Sequence, residues 1–102
     1  MANTFKNYTS ASVGTSPTTT YTVPSSTTSV MIGCNLANTS ASQIKVDVQA
    51  AGVYVVKSVP LPAGSAISVL DGKIILETTD TIVVTSDTAS STDVIVSVLE
   101  QT

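Results

Sequence analysis

More than a third of this 102-residue chain is branched at Cβ: fifteen valines, seven isoleucines and seventeen threonines. A branched Cβ stiffens χ1, costs helix propensity and suits a pleated surface, so this feature narrows the fold more than any other. Strong helix formers (Glu, Lys, Arg, Gln) are scarce. The spacing agrees, because short alternating runs separated by turn residues recur about every 8–12 residues, the rhythm of a sandwich or barrel.

Lys6–Val13 is a polar, weakly patterned strand that reads as an edge strand or an arm within residues 1–18, followed by the turn Gly14-Thr15-Ser16-Pro17. Thr19–Val23 is short and stops at Pro24-Ser25-Ser26. Thr28–Asn38 is the clearest central strand: Val30, Ile32, Cys34 and Leu36 repeat every second residue and are expected inward, with Ser29, Met31, Gly33 and Asn35 opposite. After a polar turn, Asn38–Gln43, the residues Ile44, Val46 and Val48 alternate with Lys45, Asp47 and Gln49, a half-buried strand with a charged outer face.

Ala51-Gly52 turns the chain into Val53–Val59, and Pro60-Leu61-Pro62-Ala63-Gly64 is expected to be a loop, since proline cannot donate to a ladder. A short strand around Ile67 and Val69 leads to Asp71-Gly72, the residues of a type I′ hairpin turn, and then to Ile74–Leu76. Thr81–Thr85 follows, then a turn at Asp87–Ser91. Asp93–Leu99 closes the series; it is apolar on both faces (Val94, Val96 and Val98 against Ile95 and Leu99) and is expected to be a central strand covered on both sides. Eight or nine strands and no helix must stack or close on themselves to hide their apolar faces. The expected fold is a single all-β domain over residues 1–102, an antiparallel β-sandwich of the jelly-roll or immunoglobulin-like kind.

The chemistry-bearing residues are few. Four Lys, no Arg and a net charge of −3 lack the basic footprint of a nucleic-acid binder and do not favour an anionic membrane. There is no His, the commonest general base and metal ligand. Cys34, the single cysteine, reads as a small buried hydrophobe rather than a nucleophile, since no His is present to activate it. Asp80, Asp87 and Asp93 sit near turns, with Asp71 and Glu77 nearby. They are placed at one end of the later strands, where they would gather around Ca²⁺, or, as ordinary turn residues, be solvated; no Asp-x-Asp-x-Asp-Gly loop is present, and the turn reading is preferred.

Asn7-Tyr8-Thr9 and Asn38-Thr39-Ser40 match the glycosylation acceptor by chance in a Ser/Thr-rich chain. Phe5, Tyr8, Tyr21 and Tyr54 are the only aromatics and are expected in core and rim packing. No catalytic, cofactor-binding or metal-ligating residue is assigned. The N-terminal Met1-Ala2-Asn3-Thr4-Phe5-Lys6 is polar, so the expectation is synthesis in the cytoplasm without a cleaved signal. A valine-built core without Trp is thin, and weakly charged Thr/Ser strands can meet a like surface without burying charge. Both favour self-association.

Three segments carry a resemblance. Val13-Gly14-Thr15-Ser16-Pro17 with Tyr21-Thr22-Val23-Pro24 leads into a strand ending Leu36-Ala37-Asn38-Thr39. The second is Val59-Pro60-Leu61-Pro62-Ala63-Gly64-Ser65, and the third is Gly72-Lys73-Ile74-Ile75-Leu76-Glu77 with Thr79-Asp80-Thr81-Ile82, closing in Asp93-Val94-Ile95-Val96-Ser97-Val98-Leu99-Glu100. Over nearly the whole chain these resemble a family of small structural proteins of tailed bacteriophages, notably marine and cyanobacterial phages. The resemblance implies a β-sandwich virion protein, present in many copies as a capsid decoration (cement) or as part of the neck, collar or tail. It would bind other virion proteins and copies of itself. The alternative is a receptor- or glycan-binding tip domain, which needs an aromatic or acidic cluster on loops at one end. One departure stands out: Thr79 occupies a position where the family has Gly before Asp80, which puts a tight turn there in doubt.

Overall fold

The computed structural model describes residues 2–70 and 72–102. Nine strands run through them: β1 (Asn3–Val13), β2 (Thr18–Thr22), β3 (Thr28–Asn38), β4 (Ile44–Ala50), β5 (Val53–Leu61), β6 (Ala66–Ser68), β7 (Ile74–Leu76), β8 (Thr81–Ser86) and β9 (Thr92–Gln101). No helix occurs among the described residues. All pairings are antiparallel. One sheet, sheet A, has the order β1-β9-β3-β6, with β7 also on the far edge of β3; the other, sheet B, has the order β2-β8-β4-β5. The chain is therefore an all-β antiparallel sandwich, elongated to 45 × 20 × 20 Å.

The core lies between the sheets. Ile44, Val46 and Val48 of β4, Ile82 and Val84 of β8, and Val94, Val96 and Val98 of β9 are all buried, at the period-two spacing expected of strands with one face inward. Burying Val and Ile side chains of this kind contributes about 1.5–3 kcal/mol each, which is why the alternation dictates the layers.

Three expectations about individual strands need correction, and one about a hairpin follows them. In β3 the inward residues are Ser29 and Met31, then Cys34 and Leu36, whereas Val30 and Ile32 lie on the outer face. A register shift between Met31 and Gly33 causes this: one extra residue flips the side-chain parity midway along the strand. Second, β5 runs through Pro60 to Leu61. Pro60 opposes Lys45, whose N–H donates to Asp87 Oδ1 (3.1 Å) and whose carbonyl accepts from the Asp87 N–H (3.0 Å). Both Lys45 backbone groups thus face away from β5, and proline's missing N–H falls on the solvent side of an edge strand. Third, β9 is central as expected, between β1 and β3, but its outer face is not covered: Ile95 is 46% exposed.

The β4–β5 hairpin turns at Ala51 (φ 52°) and Gly52 (φ 79°), the two positive φ values of a type I′ turn. The expected hairpin at Asp71-Gly72 is different. Asp71 lies outside the described residues, and the flanking strands β6 and β7 pair with β3 and not with each other. Both run antiparallel to β3, so they are successive pieces of one interrupted edge.

Candidate interaction surface

A buried carboxylate that the sequence reading did not single out crosses the sandwich. Glu100, on the inward face of β9, is 5% exposed. Its Oε2 accepts hydrogen bonds from Tyr8 Oη (2.8 Å) on β1 and Tyr21 Oη (2.7 Å) on β2. Lys6 Nζ lies 3.6 Å from Oε1. The Tyr21 hydroxyl also bonds Ser29 on β3, and the two tyrosine rings pack with centroids 4.3 Å apart. Burial pushes the Glu100 carboxyl up, but the Tyr21 and Tyr8 hydroxyls and the Lys6 charge together hold it below the ordinary glutamate range. The same burial, with the carboxylate beside it, raises the Tyr8 hydroxyl to about 12 and the Tyr21 hydroxyl further. This cluster joins β1 and β9 of sheet A to β2 of sheet B. Its signal was present in the parity of β9: with Val94, Val96 and Val98 inward, Glu100 must point inward too.

Asn38 is the second buried polar anchor. Its amide donates to the carbonyls of Ser42 (2.8 Å), Leu61 (2.9 Å) and Pro62 (3.2 Å), and its Oδ1 accepts from Ser40 N (2.9 Å) and Ser40 Oγ (2.7 Å). Both ends of the amide are occupied, so the acceptor match at this asparagine is structural.

Cys34 is buried, and desolvation pushes its thiol up to about 11. The acids serve the backbone. Asp80 accepts the Glu77 N–H, Asp87 the Lys45 N–H, Asp93 the Ser12 N–H, and Asp47 the Ser58 N–H at a left-handed residue of β5. Asp80 precedes β8 and Asp87 follows it, so these two stand at opposite ends of a strand and not at one end as expected. Among the described residues no three acidic, His or Cys side chains gather as a metal site. Of the aromatics, Tyr8 and Tyr21 form the packed pair, while Phe5 and Tyr54 are exposed.

The outer face of sheet A carries the feature best suited to contact. Phe5 on β1, Leu99 on β9, Val30 on β3 and Ile75 on β7 are opposed in register, forming one apolar row across the sheet. Phe5 is 74% exposed and Ile75 61%. Ile32 and Ile95 are also exposed, Ile95 two rungs away opposite Thr9 and Asn35. Beside it, Phe5, Lys6, Asn7, Ile32, Ser97 and Val98 line an open depression of about 260 Å³. The neighbouring positions in register are Asn7 with Ser97 and Gly33, then Thr9 with Ile95, Asn35 and Ser68. Among the paired positions described, Asp93 at the far end of β9 is the one charged residue on the face, while exposed Lys73 and Glu77 flank Ile75 just outside the ladder. The parity of β3 assumed from its sequence hid this row, because it placed Val30 and Ile32 in the core.

No protein-family model and no curated protein matches the chain. Among solved structures it is similar to a chain from Bacillus endospore appendages, described as a novel family of disulfide-linked pili. The TM-score is 0.49 and the identity 15%, over 99% of this chain and 85% of that one.

Proposed function

We propose that this chain is a non-enzymatic structural subunit that acts in many copies on the particle of a tailed bacteriophage, as a capsid decoration or a neck, collar or tail component. The observation that carries the reading is the uncharged apolar row Phe5–Leu99–Val30–Ile75 on the open face of sheet A. Apolar surface of this kind, rimmed by Asn, Ser and Thr, is surface for burial against another protein. The particle is supplied by the resemblance of the turn and strand-edge segments to small phage structural proteins.

The receptor-tip alternative has less support. It needs an acidic or aromatic cluster at one end, whereas Asp80 and Asp87 occupy opposite ends of β8 and the exposed Tyr54 ring lies beneath Lys57 Nζ at 4.8 Å.

Cryo-electron microscopy and quantitative mass spectrometry of purified particles test the proposal. The expected result is a copy number that is a multiple of the local symmetry, with sheet A against a neighbouring protein. Ile75→Lys should leave the chain folded and remove it from the particle. Particles without the chain, or with Ile75→Lys incorporated normally, would refute the reading.

A further inference from the structure

The sandwich has four sheet edges, and three are guarded against pairing with another strand. On sheet A the β6/β7 edge is cut into two three-residue pieces. On sheet B, β5 has two register shifts, a left-handed Ser58, Lys57 and Pro60, while β2 is five residues long with a shift between Thr19 and Tyr21. Short pieces, bulges, lysine and proline are the usual devices against edge-to-edge association.

The β1 edge has no break, bulge or proline over Asn3–Ser10, where its pairing with β9 is regular. Ala2 and Thr102 exchange both backbone hydrogen bonds (3.1 and 3.0 Å). Antiparallel pairs alternate between bonded and non-bonded, so Thr4, Lys6, Tyr8 and Ser10 direct their backbone groups to β9. Asn3, Phe5, Asn7 and Thr9 direct theirs away from the sheet. Among the described residues nothing pairs with them. The one charge in this stretch, Lys6, is held by Glu100 of its own chain.

We propose that β1 is the interface between two copies of this chain, paired antiparallel about a two-fold axis beside Phe5. A head-to-tail chain of copies would require a second open edge, and the other three are guarded. The open edge can therefore meet only itself, and the pairing closes at a dimer. With the axis at Phe5, the backbone groups of Asn3, Phe5 and Asn7 bond those of Asn7, Phe5 and Asn3 of the partner subunit. Moving the axis to Lys6 would oppose two ammonium groups directly, a destabilising arrangement.

The Phe5 register also places the two apolar rows end to end. Ile75–Val30–Leu99–Phe5 then continues into the same row reversed, a band of eight residues on one face, about 34 Å long at the usual strand spacing of about 4.8 Å. The dimer deepens the structural-subunit reading by doubling its docking face, and it rests on that reading only in requiring a second copy.

Sedimentation and native mass spectrometry from micromolar to sub-millimolar concentrations should show a dimer. Hydrogen exchange should protect the amides of Phe5 and Asn7 only in the dimer, and those of Thr4 and Lys6 in both states. Asn7→Pro removes an outward N–H without touching the β9 ladder, and Phe5→Lys sets two charges opposite each other. Each should weaken the dimer more than about tenfold, that is by more than about 1.4 kcal/mol, while circular dichroism and the melting temperature of the monomer stay near wild type. A wild-type monomer at every concentration would overturn the proposal and leave the edge to a strand of a different protein. So would a dimer that both variants leave intact. A monomer that still coats particles sinks the dimer alone; a dimer absent from particles sinks the virion reading alone.

Discussion

Replacing Glu100 by Gln tests whether a buried carboxylate, and not only the aliphatic layer, holds the two sheets together. Gln keeps the shape and one acceptor oxygen, so little packing changes. What is lost is the charge behind two short hydrogen bonds, from Tyr8 at 2.8 Å and Tyr21 at 2.7 Å. Hydrogen bonds to a charged group contribute about 1.5–3 kcal/mol, against about 0.5–1.5 for neutral pairs, so two such bonds should lose roughly 2–3 kcal/mol. The exposed Lys6 end adds little, about 0–1 kcal/mol. For a domain of this size the loss corresponds to a melting temperature lower by roughly 10–20 °C. Urea unfolding at pH 7 reads it as a lower midpoint with an unchanged slope.

The pH dependence provides the sharper arm. Glu100 is held below the ordinary glutamate value, so its stabilisation is fully present above about pH 4.3, the unfolded value, and is lost as pH falls through the folded one. The gap between wild type and Glu100→Gln should therefore close on acidification from about pH 5 downward. A variant within about 0.5 kcal/mol of wild type at pH 7, the range of a neutral surface change, would refute the reasoning. A gap that does not narrow at all as the solution is acidified below the ordinary glutamate range would refute it as well.

The remaining predictions are briefer. In alkali, Tyr8 and Tyr21 have raised values, so their contribution is intact below about pH 10 and disappears as pH rises toward 12; their tyrosinate absorbance should emerge together with unfolding and not before it. Asn38→Asp points a carboxylate at three carbonyl oxygens and should cost about 3–5 kcal/mol in urea melts; a cost below about 1 kcal/mol counts against the anchor. Thr79 sits at φ 71° in a turn closed by Asp80 N–H to the Glu77 carbonyl (3.0 Å), so the tight turn forms despite the missing glycine. A left-handed β-branched residue costs about 1–2 kcal/mol and glycine loses about 0.5–1 in chain entropy, so Thr79→Gly should stabilise by roughly 0.5–1 kcal/mol. Cys34 should resist a thiol reagent in the native protein and react at once in denaturant; rapid native labelling would contradict its burial.

What could be read from the residues was what depends on local chemistry and parity. β-branching and turn spacing yield the strands, and the bounds of β3 and β7 match residue for residue. What escaped depends on partners distant in sequence. The shift at Met31–Gly33 is set by how β3 opposes β9, about 65 residues along the chain, and one inserted residue moved Val30 and Ile32 from core to surface. Pro60 looked like a loop because a proline's tolerance depends on which side of the strand has a neighbour. Asp71-Gly72 suggested a hairpin, but the strands on either side of it pair with β3. Turn chemistry names a bend, not what the bend connects.

The buried lock and the open surface are two consequences of one register. Tyr8 reaches Glu100 only if the even residues of β1 face inward and bond β9. Slipping β1 by one residue would turn Tyr8 outward, strand a buried carboxylate with one tyrosine fewer, and send Phe5 toward the core. The Glu100 cluster thereby fixes Phe5 on the outer face, completes the apolar row with Leu99, Val30 and Ile75, and sets which backbone groups line the free edge. A monomer in which Glu100→Gln loosens β1 should therefore lose stability and surface together: faster exchange at Thr4 and Lys6, and weaker pairing between copies in proportion. If pairing survives while those two amides become unprotected, the edge and the lock are independent and this coupling fails.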